Sequence, residues 1–204
     1  MMKPLLSLLL ACSAIHFSYA QQPGTKGPAV RFLVGGALEF GGDEVAKVYF
    51  TNGNEQSVNA GQGGSIAVGA QFQIPTAEKF LLRTTVGYKY LTTEADNVHI
   101  RLTRVPIIAT ANYMVLNKLR VGAGIATHQA IKFNAGGIGD NMTFSGAAGP
   151  TFEVAYAGIG LSYTAMKYKD NMNNSYSANA FGFTFSATFP NKKRSTTVIQ
   201  PVND

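Results

Sequence analysis

The chain has no tryptophan and one cysteine, Cys12, and only 14% of its 204 residues are charged. A single cysteine rules out an intrachain disulfide and a cysteine-based metal cluster. No run of eighteen apolar residues occurs, so a transmembrane helix is excluded. The longest apolar stretch beyond the N-terminus, VPIIATANYMVL, is interrupted by Pro106, Thr110 and Asn112. Low charge beside 22 glycines is unlike a helical enzyme or a disordered tail. The formal charge of +6 is too modest to suggest nucleic acid; anionic lipid is the more natural partner.

What is present is alternation. In SANAFGFTFSATFP (177–190), Phe181, Phe183, Phe185 and Phe189 share one parity, and Gly182, Thr184, Ser186 and Thr188 the other. A period of two is a β-strand. The small row is too undersized and too weakly polar for a wet surface, and fits a cramped interior; the Phe row then faces lipid. The same division runs through VRFLVGGALEF (30–40), SIAVGAQFQIP (65–75), FLLRTTVGYKY (80–90) and RVGAGIATH (120–128), with Leu33, Gly36, Leu81 and Thr84 as exceptions. It is weakest in PTFEVAYA (150–157) and IGLSYTAMKY (159–168). In VHIRLTRVPIIATANY (98–113) the apolar parity slips, from Val98, Ile100 and Leu102 to Val105, Ile107 and Ala109. A β-bulge between Leu102 and Val105, beside Pro106, is the expected cause.

These eight segments are joined by connections that tend to alternate in length, with exterior loops expected at 41–64 and 134–149, both long, at 92–97, of medium length, and at 169–177. Tight turns are expected at PTAEK (75–79), MVLNK (114–118) and Ala157-Gly158. Alternating long loops and short turns are the rhythm of a transmembrane barrel, and an even strand count returns both ends to the short-turn side. The predicted fold is all-β, an eight-stranded antiparallel up-and-down transmembrane β-barrel. Residues 1–20 read as a secretory signal peptide cut after Ala20, 21–190 as the barrel, and 191–204 as a short polar tail. Leu9-Leu10-Ala11-Cys12 offers a rival cut that would leave a lipidated Cys12, but its leader would be unusually short.

The leader, the alternating segments and the loop rhythm resemble the small OmpA/OmpX-type barrels of Gram-negative outer membranes. That resemblance implies a cell outer-membrane location, a lumen filled by side chains and contact with lipopolysaccharide. Such barrels commonly end on an aromatic residue, whereas Phe189 lies fifteen residues before the C-terminus, so an insertion signal here would be internal.

Arg31, Glu39, Arg83, Lys89, Arg104 and Glu153 fall on the lumen parity and predict a structural charge network, since charges in a narrow lumen need partners. The sharper alternative is a narrow conduction path favouring anions. Lys89, Arg101, Lys132, Lys167 and Lys169, with His99, fall near the outer strand ends, where cations can meet lipopolysaccharide phosphates. Tyr88, Tyr90, Phe133 and Tyr168 would form one aromatic girdle, and Phe72, Phe80, Tyr113 and Phe189 the other. Asn52-Gly53 predicts the type I′ tip of an exposed hairpin extending the first two barrel strands, whose edges could pair with an extracellular protein.

Catalysis on this architecture would need a Ser–His pair with an orienting carboxylate. Past the leader only His99 and His128 remain, and neither has a serine two residues away. The reading is therefore not an enzyme, with a lipid A-modifying activity as the alternative. No metal site, cofactor or phosphate loop is expected: GQGG (61–64) and GGIGD (136–140) lack a following GK[ST] and a helix. A monomer is expected, with a structural or surface-interaction role.

Overall fold

The computed structural model describes residues 29–49, 55–95, 98–137 and 139–190. The leader, Cys12, the hairpin tip Asn52-Gly53 and the tail 191–204 lie outside them. The strands are β1 (Ala29–Phe40), β2 (Glu44–Tyr49), β3 (Glu55–Asn59), β4 (Gly63–Ile74), β5 (Ala77–Ala95), β6 (Val98–Met114) and β7 (Leu119–Asn134). They continue as β8 (Met142–Gly146), β9 (Gly149–Tyr156), β10 (Ile159–Thr164), β11 (Lys167–Lys169), β12 (Ser175–Ser177) and β13 (Ala180–Phe189).

Eight of them close a ring, β1-β4-β5-β6-β7-β9-β10-β13 and back to β1, with every neighbouring pair antiparallel. The seam pairs Phe32 with Phe189 and Phe40 with Phe181. Closure leaves no unpaired edge in the ring, which a strand in hydrocarbon requires. The short connections, 75–76, 115–118 and 157–158, share one end with the start of β1 and the end of β13. Ala157 and Gly158 both have positive φ, as a two-residue type I′ hairpin demands.

The Phe row of β13 is outermost: Phe181 is 69% and Phe183 61% exposed. Leu38, Phe40, Ile66, Val86, Ile107, Ile125, Phe152, Val154 and Leu161 join it in an apolar belt around the ring. So contiguous a belt on a soluble protein would aggregate; on a closed barrel it is the lipid-facing band. The opposite row faces a narrow lumen. A Cβ at Gly182 would sit 2.7 Å from Ser162 Oγ and 2.8 Å from Glu39 Cγ, so glycine there makes room for a lumen carboxylate. Leu33 and Leu81, which broke the pattern in sequence, point inward and are buried.

At the long-loop end the wall rises past the apolar belt on one side only. There β8 pairs with β7 at Ile131 to Phe133, β11 with β8, and β12 with β11. Thus β8 and β9, β10 and β11, and β12 and β13 are halves of three long interrupted strands, and the loops expected at 134–149 and 169–177 contain strand.

In this upper tier the inside and outside exchange character. Ile100, Leu102, Ile131, Phe133, Phe144, Met166 and Tyr168 are buried inside the wall in one apolar cluster. The bulge expected on β6 is not there: inward residues keep even numbers from Ile100 to Asn112. The register shift lies across the ladder, where Thr103 pairs with Lys132 and Val105 with Gln129, so the extra residue belongs to β7. Ala130, with φ 50°, marks it. Ile100 and Leu102, expected to face lipid, face the interior instead, because above the membrane the outer surface is wet and the apolar side must turn in. For the same reason Phe133 and Tyr168 belong to this core and not to an aromatic girdle, whereas Tyr88 and Tyr90 are exposed.

Candidate functional site

The lumen is the chemically dense part of the molecule, and it is built in layers. From the short-turn end it opens as a chamber of about 520 Å³ lined by Arg31, Arg83, Lys118, Arg120 and Glu78. A charged layer closes its inner side. Glu153, on β9, lies 2.9 Å from Arg120 Nη2 and 3.5 Å from Arg83 Nη1, and accepts a 2.7 Å hydrogen bond from Thr184 Oγ1. Arg120 also donates to Asn112 Oδ1 at 3.1 Å. The three charged side chains are 8–16% exposed, so the layer is nearly dry, and one carboxylate serves two guanidiniums.

Above it a smaller cavity of about 120 Å³ is lined by small and hydroxyl side chains, among them Ser65, Ala67, Thr85, Thr151 and Ser162. Its roof is a second charged layer. Lys89 pairs with Glu39 at 2.9 Å and donates to the Gly61 carbonyl at 2.6 Å. Arg104 donates to the carbonyls of Ala60 and Gln62 and lies 3.5 Å from the Tyr168 hydroxyl. Both cations are fully buried. Together they hold three successive backbone carbonyls, 60 to 62, where β3 returns to the wall.

That segment is the stem of the β2–β3 hairpin, and the latch explains where the hairpin goes. Gly41, Gly42 and Gly63 all take positive φ, so the chain leaves the wall after β1 and rejoins it at β4. The hairpin forms its own two-stranded sheet. Val48 and Val58 are buried with Ile100, Leu102, Ile131 and Phe133 of the wall. The expectation of an exposed hairpin prolonging the first two barrel strands is therefore corrected: its body is a plug with one face in the apolar interior. Sequence showed the turn signal but not Gly41-Gly42, which redirects the chain.

The residues expected in the lumen are brought together in two groups. Arg83 and Glu153 join with Arg120, which sequence reasoning passed over although its parity was inward. Glu39, Lys89 and Arg104 form the latch. Arg31 sits apart in the lower chamber, with no ion-pair or hydrogen-bond partner among the described residues. The assignment of Lys89 to the outer rim is corrected, since its ammonium is wholly buried in the lumen.

The other rim cations do lie outside. Arg101, Lys132, Lys167 and Lys169 are exposed, with His99, on the outer face of the upper tier. The register sets Thr103 beside Lys132, Lys132 beside Thr143, and Ser145 beside Lys169. With ~4.8 Å between strands and ~3.4 Å per residue, neighbouring cations are roughly 7–12 Å apart.

His128 is buried and its Nδ1 contacts the Tyr168 hydroxyl, so its partner is a phenol and not a serine. His99 is exposed on the outer face. Among the described residues no three His, Cys, Asp or Glu side chains cluster as metal ligands would.

In the loop joining β11 to β12, Asp170 accepts hydrogen bonds from the Met172 and Asn174 amides, the Asn174 side chain and the Tyr176 hydroxyl. Desolvation pushes the Asp170 carboxyl up, but these bonds outweigh it and hold it below the usual carboxylate range.

No family model matches the chain, and no curated protein matches it. Among solved structures it is similar to the crystal structure of Neisserial surface protein A (NspA), at 18% identity and a TM-score of 0.44, covering 80% of this chain and 100% of that one. The eight-stranded transmembrane barrel architecture rests on the closed ladders and the apolar belt described above.

Proposed function

We propose that this chain is a monomeric integral protein of the Gram-negative outer membrane with a structural and surface-interaction role. Residues 21–190 form the exported barrel, 1–20 its leader and 191–204 a polar tail. The observation that carries the reading is a lumen occluded twice, by the Arg83–Glu153–Arg120 layer and by the latched hairpin, inside a wall built for lipid. An interior so filled supports neither bulk passage nor an enzyme cleft. What remains outward is the upper tier and its loops, which offer an extracellular protein a contact surface.

Arg101, Lys132, Lys167 and Lys169, just above the apolar belt, meet phosphates of lipopolysaccharide in this reading. Point charges on lysine screen readily, so the expected contribution is retention of lipid and not a single tight site.

One experiment reads both halves of the proposal: mass spectrometry of lipid A in outer membranes with and without the protein, and of lipid A retained on the purified barrel. The expected result is unaltered lipid A structure, with less of it retained by a Lys132→Gln, Lys167→Gln, Lys169→Gln variant. A changed acyl chain or headgroup overturns the non-enzymatic reading; equal retention overturns the rim.

The second reading, a narrow channel, has only the open short-turn mouth in its favour and both occluding layers against it. Discrete current steps in planar bilayers would establish it.

A further inference from the structure

The lower chamber contains more positive charge than its structure needs. Arg31, Arg83, Lys118 and Arg120 line it, against Glu78 at its wall and Glu153 at its inner end. Four cations face two carboxylates, an excess of two. Lys118 and Glu78 are exposed at the rim, but among the described residues the inner part still sets buried Arg83 and Arg120 and half-buried Arg31 against Glu153 alone, so the excess of two is not shed to bulk water. Two donors are also unused. Arg83 Nε is buried without an acceptor, and Arg31 makes no ion pair or hydrogen bond among the described residues. Like charges held in a low-dielectric mouth repel, and their cost falls when an anion supplies the missing acceptors.

The geometry restricts what that anion is. A volume of about 520 Å³ lies within the ordinary range for small-ligand pockets, ~300–1,000 Å³. Planar guanidinium forks match phosphate and carboxylate oxygens. The Arg83–Glu153–Arg120 layer closes the inner end, so an entering ion stops there and returns by the same mouth. The chamber is a dead end, which suits binding and not conduction.

We propose that the short-turn mouth is a binding site for a small dianion carrying phosphate or paired carboxylate groups, held by Arg31, Arg83 and Arg120 with Lys118 at the rim. It opens on the side of the short turns, which in an outer-membrane barrel is the periplasm. The site depends on the barrel fold alone and stands whether or not the rim binds lipopolysaccharide.

The test is isothermal titration of the refolded full-length barrel, in detergent at low ionic strength, with inorganic phosphate and separately with succinate. Saturable binding is expected, weakened by added salt. Arg31→Gln should lower affinity about tenfold or more, a loss of about 1.4 kcal/mol or more. Lys47→Gln, at the opposite end, should bind like the parent. The circular dichroism and the gel mobility of unheated samples report that each variant is folded. Binding of phosphate alone assigns a phosphate ligand, of succinate alone a dicarboxylate, and of both a general dianion site. No saturable binding by either probe, or equal affinity of the parent and Arg31→Gln, overturns the proposal.

Discussion

Replacing Glu153 by glutamine keeps the shape of the lower charged layer and removes its only carboxylate. Among the described residues Arg83 then loses its sole ion-pair partner, and Arg120 keeps only its hydrogen bond to Asn112. Thr184 exchanges a charged acceptor for an amide. Breaking a buried pair from one side costs about 3–5 kcal/mol, because a charge is left buried and uncompensated. Two guanidiniums are stranded here, which pushes the figure up, while the chamber wets the layer from one side, which pulls it down. The expected cost is about 3 kcal/mol, read from reversible urea unfolding in lipid vesicles. Adding Arg83→Met to Glu153→Gln should recover part of the loss, since it removes one of the stranded charges. A Glu153→Gln barrel within about 0.5 kcal/mol of the parent would refute the reasoning, as would a double variant whose cost is the sum of the two singles.

Phe183→Arg should destabilise the folded barrel by about 2–4 kcal/mol in the same titration, the cost of a lipid-facing arginine near mid-membrane. Ala130→Gly should stabilise it by up to about 1 kcal/mol by relieving a positive φ, whereas Ala123→Gly, in extended strand, should cost roughly 0.5–1 kcal/mol. In the loop joining β11 and β12, the lowered Asp170 carboxyl means that the turn is fully held above the ordinary carboxylate range and loosens as pH falls through its folded value. Amide exchange at Asn174, corrected for the intrinsic pH dependence, should therefore accelerate on acidification below about pH 4, and no change would contradict the assigned bonds.

Ring closure, strand facing in the membrane tier and the inward charges were legible in sequence, because lipid outside and a narrow lumen inside impose opposite demands on alternate residues. The upper tier was not legible, and β6 and β7 show why. On β6 the apolar parity slips between Leu102 and Val105, yet the backbone has no bulge. On β7 Val121, Ile125, Ile131 and Phe133 share one parity without a slip, yet a bulge lies at Ala130. Both follow from one cause. Where the wall leaves the membrane, water replaces lipid outside and an apolar core replaces the polar lumen, so the bulky row must change sides. A regular strand registers the exchange as a slip, and a bulged strand cancels it. Periodicity reports the environment of a face, and two exchanges in succession look like none. The hairpin plug escaped for a related reason: Val48 and Val58 are buried by residues far along the chain, and no local pattern names those partners.

The absence of tryptophan permits a direct test of which Phe rows face lipid. Single-tryptophan variants Phe183→Trp and Phe133→Trp, reconstituted in vesicles with brominated acyl chains, place one reporter on the apolar belt and one in the interior core. Strong quenching of the first and little of the second is the predicted result. Equal quenching of both, or quenching of Phe133→Trp alone, would contradict a lipid-facing belt below an inverted, plugged upper tier.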